Sequence, residues 1–141
     1  MKVLFVCTGN TCRSPMAEVI FNEMYKNHHA ESRGLHTRHG DRIEANALRV
    51  LKREYGFDEN RIAEQVTYSD INEADIVIAM TEAHKRELSG LYGMDNVRTL
   101  KELAGSKGDI IDPYGMDEFV YRRVFSEIRE LLERIRLFRE E

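Results

Sequence analysis

A short loop near the N-terminus carries the residues of this chain that are best suited to chemistry. Cys7 and Arg13 lie between an apolar run at residues 2–6 and a helical pattern that begins near Pro15. A phosphate dianion is bound well by the main-chain N–H groups of a tight loop, a guanidinium that grips two oxygens, and the positive end of a helix dipole. The same surroundings favour the thiolate form of Cys7. The loop therefore predicts a nucleophilic cysteine in an anion pocket, with phosphoryl transfer through a covalent thiophosphate.

The context of this loop matters more than its spacing, because a cysteine followed six positions later by an arginine is common by chance. Residues 2–6 read as a buried strand, and Ser14 and Pro15 read as the N-cap and first residue of a helix. Gly9 supplies the backbone freedom that a tight loop needs. The alternative is a buried structural cysteine before an ordinary strand-to-helix turn, and the ordered context favours the anion site.

Apolar runs alternate with amphipathic patterns along the rest of the chain. Strands are predicted at residues 2–6, 32–35, 75–80 and 96–100, and helices at 15–28, 45–55 and 82–91. Gly56 follows the helix at 45–55, and the helix at 82–91 is capped by Thr81 and followed by Gly93. A long final helix carries an apolar stripe, for which packing on the sheet is favoured over a partner surface: Val124, Ile128, Leu131, Ile135 and Phe138.

This alternation predicts an α/β fold in one domain, residues 1–141. Strands that alternate with helices form a parallel sheet through right-handed crossovers, with helices on both faces. We therefore expect a three-layer sandwich around a central four-stranded parallel sheet. Ligands of such sheets bind beyond the carboxyl ends of the strands, which is where Cys7 falls.

Composition limits the partners and the compartment. A net charge of −4 gives no reason to expect nucleic acid or an anionic membrane as a partner. The first apolar run is about five residues long, too short for a signal peptide, and no stretch approaches the length of a membrane span. The chain has only two cysteines, both in the loop, which favours a reducing cytoplasm over a secreted disulfide framework.

The histidines could suggest a metal site, because His28 adjoins His29, and His36 lies close to His39. No carboxylate or cysteine completes a ligand set near either pair, so we expect no metal. No Walker-type phosphate loop is present either. No cofactor is predicted.

Two segments together resemble a known family. Residues 6–18 (Val-Cys-Thr-Gly-Asn-Thr-Cys-Arg-Ser-Pro-Met-Ala-Glu) resemble the active-site loop of the low-molecular-weight protein tyrosine phosphatases, and Asp112-Pro113-Tyr114-Gly115 resembles their Asp-Pro general-acid motif. The resemblance spans essentially the whole chain. It implies the low-molecular-weight phosphatase fold, phosphorylated proteins as substrates and inorganic phosphate as product, and it leaves the oligomeric state open.

The resemblance also assigns roles. Cys7 is the nucleophile, Arg13 stabilises the transferred phosphoryl group, and Asp112 protonates the leaving group and later activates water. Ser14 donates its hydroxyl to the sulfur of Cys7. The remaining predicted substrate- or phosphate-binding residues are Thr8, Gly9, Asn10, Thr11, Cys12 and Tyr114. Asp109 lacks a following proline and is expected to be a surface residue.

Cys12 has two possible roles. It lies five residues after Cys7, and backup cysteines at this position in the family make a reversible Cys7–Cys12 disulfide plausible as protection during oxidation. The alternative is a small side chain packed behind the loop, since disulfide geometry is demanding. Both remain open.

Two positions bear on the substrate. Thr11 stands where tyrosine-type members usually carry a larger aliphatic residue and where arginine phosphatases carry threonine. Gly115 stands where tyrosine-type members have a second aromatic residue, whereas arginine phosphatases have glycine. The resemblance therefore favours phosphoarginine, with Asp112 also binding the guanidinium, over phosphotyrosine as the alternative. The loop at residues 36–41 does not decide between them.

Two other classes are disfavoured. Thioredoxin-coupled arsenate reductases share the fold but use further cysteines near the third strand, and residues 75–92 contain none. A non-catalytic phosphate-binding or redox-sensing module would lack a catalytic group, whereas Cys7, Arg13 and Asp112 are all present.

Overall fold

The computed structural model describes residues 1–139, which form a four-stranded parallel sheet with the strand order β2-β1-β3-β4. The strands are β1 (Lys2–Cys7), β2 (His29–Gly34), β3 (Ile76–Ala79) and β4 (Val97–Thr99). β1 pairs with β2 on one side and with β3 on the other. The predicted parallel sheet is confirmed, and β1, one of its two central strands, ends at Cys7.

Within the described residues 1–139, six α-helices surround the sheet: α1 (Arg13–Met24), α2 (Ala45–Tyr55), α3 (Tyr68–Glu73), α4 (Glu82–Tyr92), α5 (Leu100–Leu103) and α6 (Glu118–Arg134), and a 3₁₀ turn follows at Arg136–Phe138. Successive β1 side chains point to opposite faces. Val3 and Phe5 pack in the larger core with α1, α2 and α6, whereas Leu4 and Val6 pack with Leu88 of α4. Helices therefore cover both faces, as the predicted three-layer sandwich requires.

Two helices match the predicted bounds, α2 at both ends and α4 to within one residue. α2 ends before Gly56, whose φ of 72° places it in the left-handed region that favours glycine. α4 begins after Thr81, whose hydroxyl accepts a hydrogen bond from the main-chain N–H of His84 at 3.0 Å. Gly93, with φ 62°, ends it.

The predicted boundaries of α1 are wrong at both ends. The helix begins at Arg13, so Ser14 is not its N-cap, and the N-cap position belongs to Cys12, which makes no side-chain capping bond. The hydroxyl of Ser14 contacts the sulfur of Cys7 instead. The helix ends at Met24 rather than near residue 28, because the Asn22 amide bonds both main-chain groups of Ala30 and the chain turns early into β2.

The C-terminal half contains three further differences. The apolar stripe is buried, as predicted, but α6 ends at Arg134, so Ile135 and Phe138 lie beyond the helix. Leu100, expected in the fourth strand, starts α5 because Thr99 and Glu102 form a capping box there. α3 was not predicted. Within residues 1–139 no helix has the length and hydropathy needed to cross a membrane.

Candidate active site

The active-site loop joins β1 to α1 at the carboxyl edge of the sheet, and its first residues are fixed by the chain that follows β2. The main-chain N–H of Leu35 donates to the carbonyl of Cys7 at 2.9 Å, and that of His36 donates to the carbonyl of Thr8 at 2.9 Å. Gly34 allows this close approach, since a Cβ there would lie 2.8 Å from the carbonyl oxygen of Thr8. The position of Cys7 is therefore set by two strands.

A cavity of about 190 Å³ opens at this loop. Eight of the ten residues predicted for the site line it: Cys7, Thr8, Gly9, Thr11, Cys12, Arg13, Asp112 and Tyr114. Asn10 and Ser14 do not line the cavity and lie beneath the loop. His36, Arg38 and Asp41 complete the wall, so the loop whose role the sequence left open is part of the mouth.

The thiol, the guanidinium and the carboxyl group meet in this cavity. Cys7 Sγ lies 3.0 Å from Ser14 Oγ, and both side chains are buried. Arg13 is 5% exposed; its Nη1 donates to the carbonyl of Ile110 at 3.0 Å, and its Nη2 lies 3.5 Å from Asp112 Oδ2. Asp112 is about half exposed, at 53% of its side chain, so it can exchange protons with solvent while facing Arg13.

The main chain of the loop offers further donors. Within residues 1–139, the N–H groups of Thr8 to Arg13 donate to no other main-chain group. Arg13 and Ser14 form the first turn of α1, where the helix dipole adds partial positive charge. These groups are suited to an anion with several oxygens.

Asn10 supports the loop from beneath. Its φ of 57° lies in the left-handed region, which Asn adopts more readily than most residues. Its amide nitrogen donates to Ser14 Oγ at 2.9 Å and to Ser32 Oγ at 3.0 Å, and its Oδ1 accepts from the N–H of Glu64 at 2.9 Å. Because Ser14 Oγ accepts from Asn10, its own proton can be donated to the sulfur of Cys7 at 3.0 Å. The alternative acceptor, the carbonyl of Arg33, lies farther away at 3.5 Å.

The chain of hydrogen bonds continues to a partly buried ion pair that the sequence did not reveal. Ser32 Oγ donates to Glu18 Oε1 at 2.6 Å. Glu18, which is 8% exposed, accepts hydrogen bonds from both terminal nitrogens of Arg61, one of them at 2.8 Å. The hydrogen bonds that Arg61 donates to the Glu18 carboxylate raise the pKa of Arg61. Glu18, Ser32 and Arg61 are far apart in sequence, and no local pattern marks them.

His84 is a further residue of the site that the sequence did not reveal. It belongs to α4, is 7% exposed, and places its Nε2 2.8 Å from Thr8 Oγ1. Burial, assisted by the charge of Arg13, lowers the pKa of His84 to about 4. The imidazole is therefore neutral at pH 7.

Cys12 is packed behind the loop as a neutral thiol. It is 4% exposed, and its Sγ lies 3.3 Å from the hydroxyl of Tyr121 and 3.6 Å from that of Thr11. Burial raises the pKa of Cys12 to about 11. Cys7 and Cys12 are both free, so the packed role is what this structure displays, and a disulfide under oxidation stays a prediction.

The Asp-Pro loop forms the opposite wall. Asp112 Oδ1 accepts from the N–H of Tyr114 at 3.1 Å, and Tyr114 is 60% exposed. Gly115 follows with φ 79°. Asp109 lies on the surface, as expected, and accepts from the first N–H of α4, on Glu82, at 2.8 Å. In the portion of the chain that the structure covers, no three His, Cys, Asp or Glu side chains come close enough to hold a metal ion.

Comparison with known proteins places the chain in one family. The model of the low molecular weight phosphotyrosine protein phosphatase family matches residues 2–139. The low molecular weight protein-tyrosine-phosphatase PtpB of Staphylococcus aureus is 38% identical over 137 residues, with 96% of this chain and 97% of that protein covered.

Solved structures agree with this match. A low molecular weight protein tyrosine phosphatase from T. tengcongensis is 44% identical with a TM-score of 0.89, covering 95% of this chain and 96% of that one. A mutant of the YwlE arginine phosphatase with a phosphorylated active site serine is 36% identical with a TM-score of 0.86, covering 95% and 92%. This chain belongs to the low molecular weight phosphotyrosine protein phosphatase family.

Proposed function

We propose that this phosphatase hydrolyses phosphoarginine in proteins through a phosphorylated Cys7. In the first step the thiolate of Cys7 attacks phosphorus, the S–P bond forms, the P–N bond breaks, and Asp112 gives its proton to the departing nitrogen. In the second step Asp112 takes a proton from water as the water oxygen attacks the thiophosphate. Phosphate leaves, and Cys7 returns to the thiolate.

The geometry of the site supports these roles. Arg13 lines the same cavity as Cys7, and its guanidinium lies 3.5 Å from Asp112 Oδ2, so it can hold two phosphoryl oxygens there. Ser14 can donate a hydrogen bond to the sulfur, which stabilises the thiolate as nucleophile and as leaving group. The phosphorylated active site serine of the related arginine phosphatase supports a covalent intermediate.

The observation that carries the choice of phosphoarginine is the polar wall of the cavity. Tyr114 is the only aromatic residue that lines it among residues 1–139, and a second aromatic at position 115 would be strained, because Gly115 has φ 79°. Asp41 and Asp112 both line the cavity, and their carboxylates can accept the N–H groups of a guanidino leaving group. The Thr11 hydroxyl adds a further polar group, since this residue also lines the wall.

Phosphotyrosine is the second candidate. The Tyr114 ring is exposed beside the cavity and could stack on a phenol. The relatives from S. aureus and T. tengcongensis are named as tyrosine phosphatases. We further propose that the protein works in the cytoplasm, where its two unpaired cysteines would remain reduced.

The test compares kcat/KM on matched phosphoarginine and phosphotyrosine peptides for the unmodified protein and for Thr11→Ile. A preference for phosphoarginine that moves towards phosphotyrosine in the variant supports the proposal. Thr67→Ile is the control, because it makes the same change at the N-cap of α3, outside the cavity. Efficient phosphotyrosine hydrolysis by the unmodified protein, little altered by Thr11→Ile, would refute the arginine assignment.

A further inference from the structure

The contact between Thr8 and His84 has no part in the reaction steps above. Thr8 lines the cavity and is exposed to it, whereas its partner is buried on α4. The imidazole reaches Thr8 Oγ1 through Nε2 at 2.8 Å. Its other nitrogen, Nδ1, is buried and has no hydrogen-bond partner among residues 1–139. A buried polar atom without a partner beside a binding cavity calls for a physical explanation.

The unpartnered nitrogen decides where the proton of the imidazole resides. A neutral imidazole carries one N–H and one lone pair, and a buried N–H without an acceptor is rarer in proteins than a buried acceptor without a donor. The proton therefore belongs on Nε2, where Thr8 Oγ1 accepts it, and Nδ1 keeps a lone pair. The charge of Arg13 nearby also favours a neutral ring.

This tautomer sets the direction of the Thr8 hydroxyl. Thr8 Oγ1 accepts the proton of His84 Nε2, so the Thr8 hydroxyl proton cannot be donated to that nitrogen. It is available instead to a group in the cavity that Thr8 lines. With the opposite tautomer, Thr8 would donate to Nε2 and present only lone pairs to an anion. The Nε2–H tautomer of His84 therefore lets Thr8 attract a phosphoryl group, whereas the Nδ1–H tautomer makes Thr8 repel it.

We propose that His84 is a positioning residue, whose Nε2–H holds Thr8 Oγ1 so that the Thr8 hydroxyl donates a hydrogen bond to a phosphoryl oxygen in the cavity. The proposal rests on the assignment of this cavity as the phosphate site. It adds a side-chain donor to the main-chain N–H groups and to Arg13. It does not depend on whether the substrate is phosphoarginine or phosphotyrosine.

The first test measures the inhibition constant of inorganic phosphate for four variants. We expect Thr8→Val to weaken phosphate binding about tenfold, the scale of one hydrogen bond to a charged group. His84→Asn, whose amide nitrogen occupies the place of Nδ1, should weaken it similarly, whereas His84→Gln keeps a donor near the place of Nε2 and should retain most of the binding. Thr67→Val is the control, since it removes a hydroxyl that caps α3 outside the cavity.

The two residues must act together. The double variant Thr8→Val with His84→Asn should bind phosphate no more weakly than Thr8→Val alone, since each change removes the same donor. Multiplied losses in the double variant, or a loss in His84→Asn with none in Thr8→Val, would show that His84 acts by supporting the fold and would overturn the proposal.

The second test observes the proton itself. Nitrogen NMR of the labelled protein at pH 7 should show His84 as a neutral ring protonated on Nε2, and protonation on Nδ1 would overturn the proposal. The two failures can be told apart. If the unmodified protein binds no phosphate, the proposed function falls and the inference with it, whereas normal phosphate binding by Thr8→Val refutes the inference alone.

Discussion

Removal of Arg61 tests whether the ion pair between Arg61 and the buried Glu18 contributes to stability. Glu18 is 8% exposed, and Arg61 binds both of its carboxylate oxygens. Arg61→Ala leaves this carboxylate with the Ser32 hydroxyl as its remaining protein donor among residues 1–139. The variant must therefore either keep an unpaired charge in the interior or protonate it, and both cost free energy.

The expected cost follows from the burial of the two partners. Removing one partner of a fully buried pair costs about 3–5 kcal/mol. The Arg61 side chain is 31% exposed, so water can reach the gap that it leaves, and Ser32 still donates to the carboxylate. We therefore expect a loss of about 2–3 kcal/mol in the free energy of unfolding. In a domain of this size that loss lowers Tm by about 10 °C.

Urea unfolding of Arg61→Ala and of a matched control measures this loss. The control is Arg134→Ala, because Arg134 forms a surface pair with Glu130 at 3.0 Å with both side chains more than half exposed, and such pairs contribute below about 0.5 kcal/mol. In a Glu18→Gln background the Arg61→Ala change should cost less, since no buried charge remains. Equal losses in Arg61→Ala and Arg134→Ala would refute the reasoning.

Three further outcomes are expected. First, the unfolded histidine binds a proton near pH 6.5, whereas the pKa of folded His84 is about 4, so acid favours the unfolded state. Acidification from pH 6.5 to pH 4 should therefore lower the free energy of unfolding, measured in urea, by about 3 kcal/mol more for the unmodified protein than for His84→Gln. Parallel pH profiles of the two proteins would contradict this. Second, limited alkylation at pH 7, read by mass spectrometry, should label Cys7 in a phosphate-protected manner and spare Cys12, whose pKa of about 11 leaves it a thiol; equal labelling would count against it. Third, Asp112→Asn should lower kcat/KM, which reports the steps up to formation of the thiophosphate, about a hundredfold on peptides and much less on p-nitrophenyl phosphate, whose leaving group needs little protonation; an equal loss of kcat/KM on both substrates would exclude Asp112 as the general acid.

The fold could be predicted because its signals are local. The apolar runs of β1 and β3 indicate buried strands, and Gly56, Thr81 and Gly93 mark helix ends that the structure reproduces. The active-site loop could also be predicted, because its functional residues lie next to one another in a single short segment of the sequence. Local patterns also fix the carboxyl edge of the sheet as the location of Cys7.

The supports of the site could not be predicted, because they depend on contacts between distant segments. Glu18 and Arg61 are 43 residues apart, and Thr8 and His84 are 76 apart. Glu18 reads as an ordinary polar residue of α1, whereas the fold buries it beneath the loop. Nothing in one sequence distinguishes such a residue from a solvated one.

The wrong prediction at Ser14 shows how tertiary contacts change a local rule. Ser before Pro is a common helix start, yet here the Ser14 hydroxyl lies 3.0 Å from the sulfur of Cys7 and accepts from Asn10. A capping role would have turned this hydroxyl towards the N–H groups of the first turn. Because the helix begins two residues earlier than predicted, the N–H of Met16 donates to the carbonyl of Cys12 at 3.2 Å and needs no cap from Ser14, whose hydroxyl is left to serve the thiol.

Asn10, whose backbone is left-handed, also has a side chain that supports the loop. A left-handed backbone costs about 1 kcal/mol or more for a residue other than glycine, and Asn10 adopts φ 57°. Its side chain offsets that cost through three hydrogen bonds, to Ser14, to Ser32 and from the Glu64 N–H. Side chains beneath the loop therefore hold its shape, while the main-chain N–H groups from Thr8 to Arg13 stay free to donate to an anion. A loop held by its own main-chain hydrogen bonds would have the same curvature and fewer donors for phosphate.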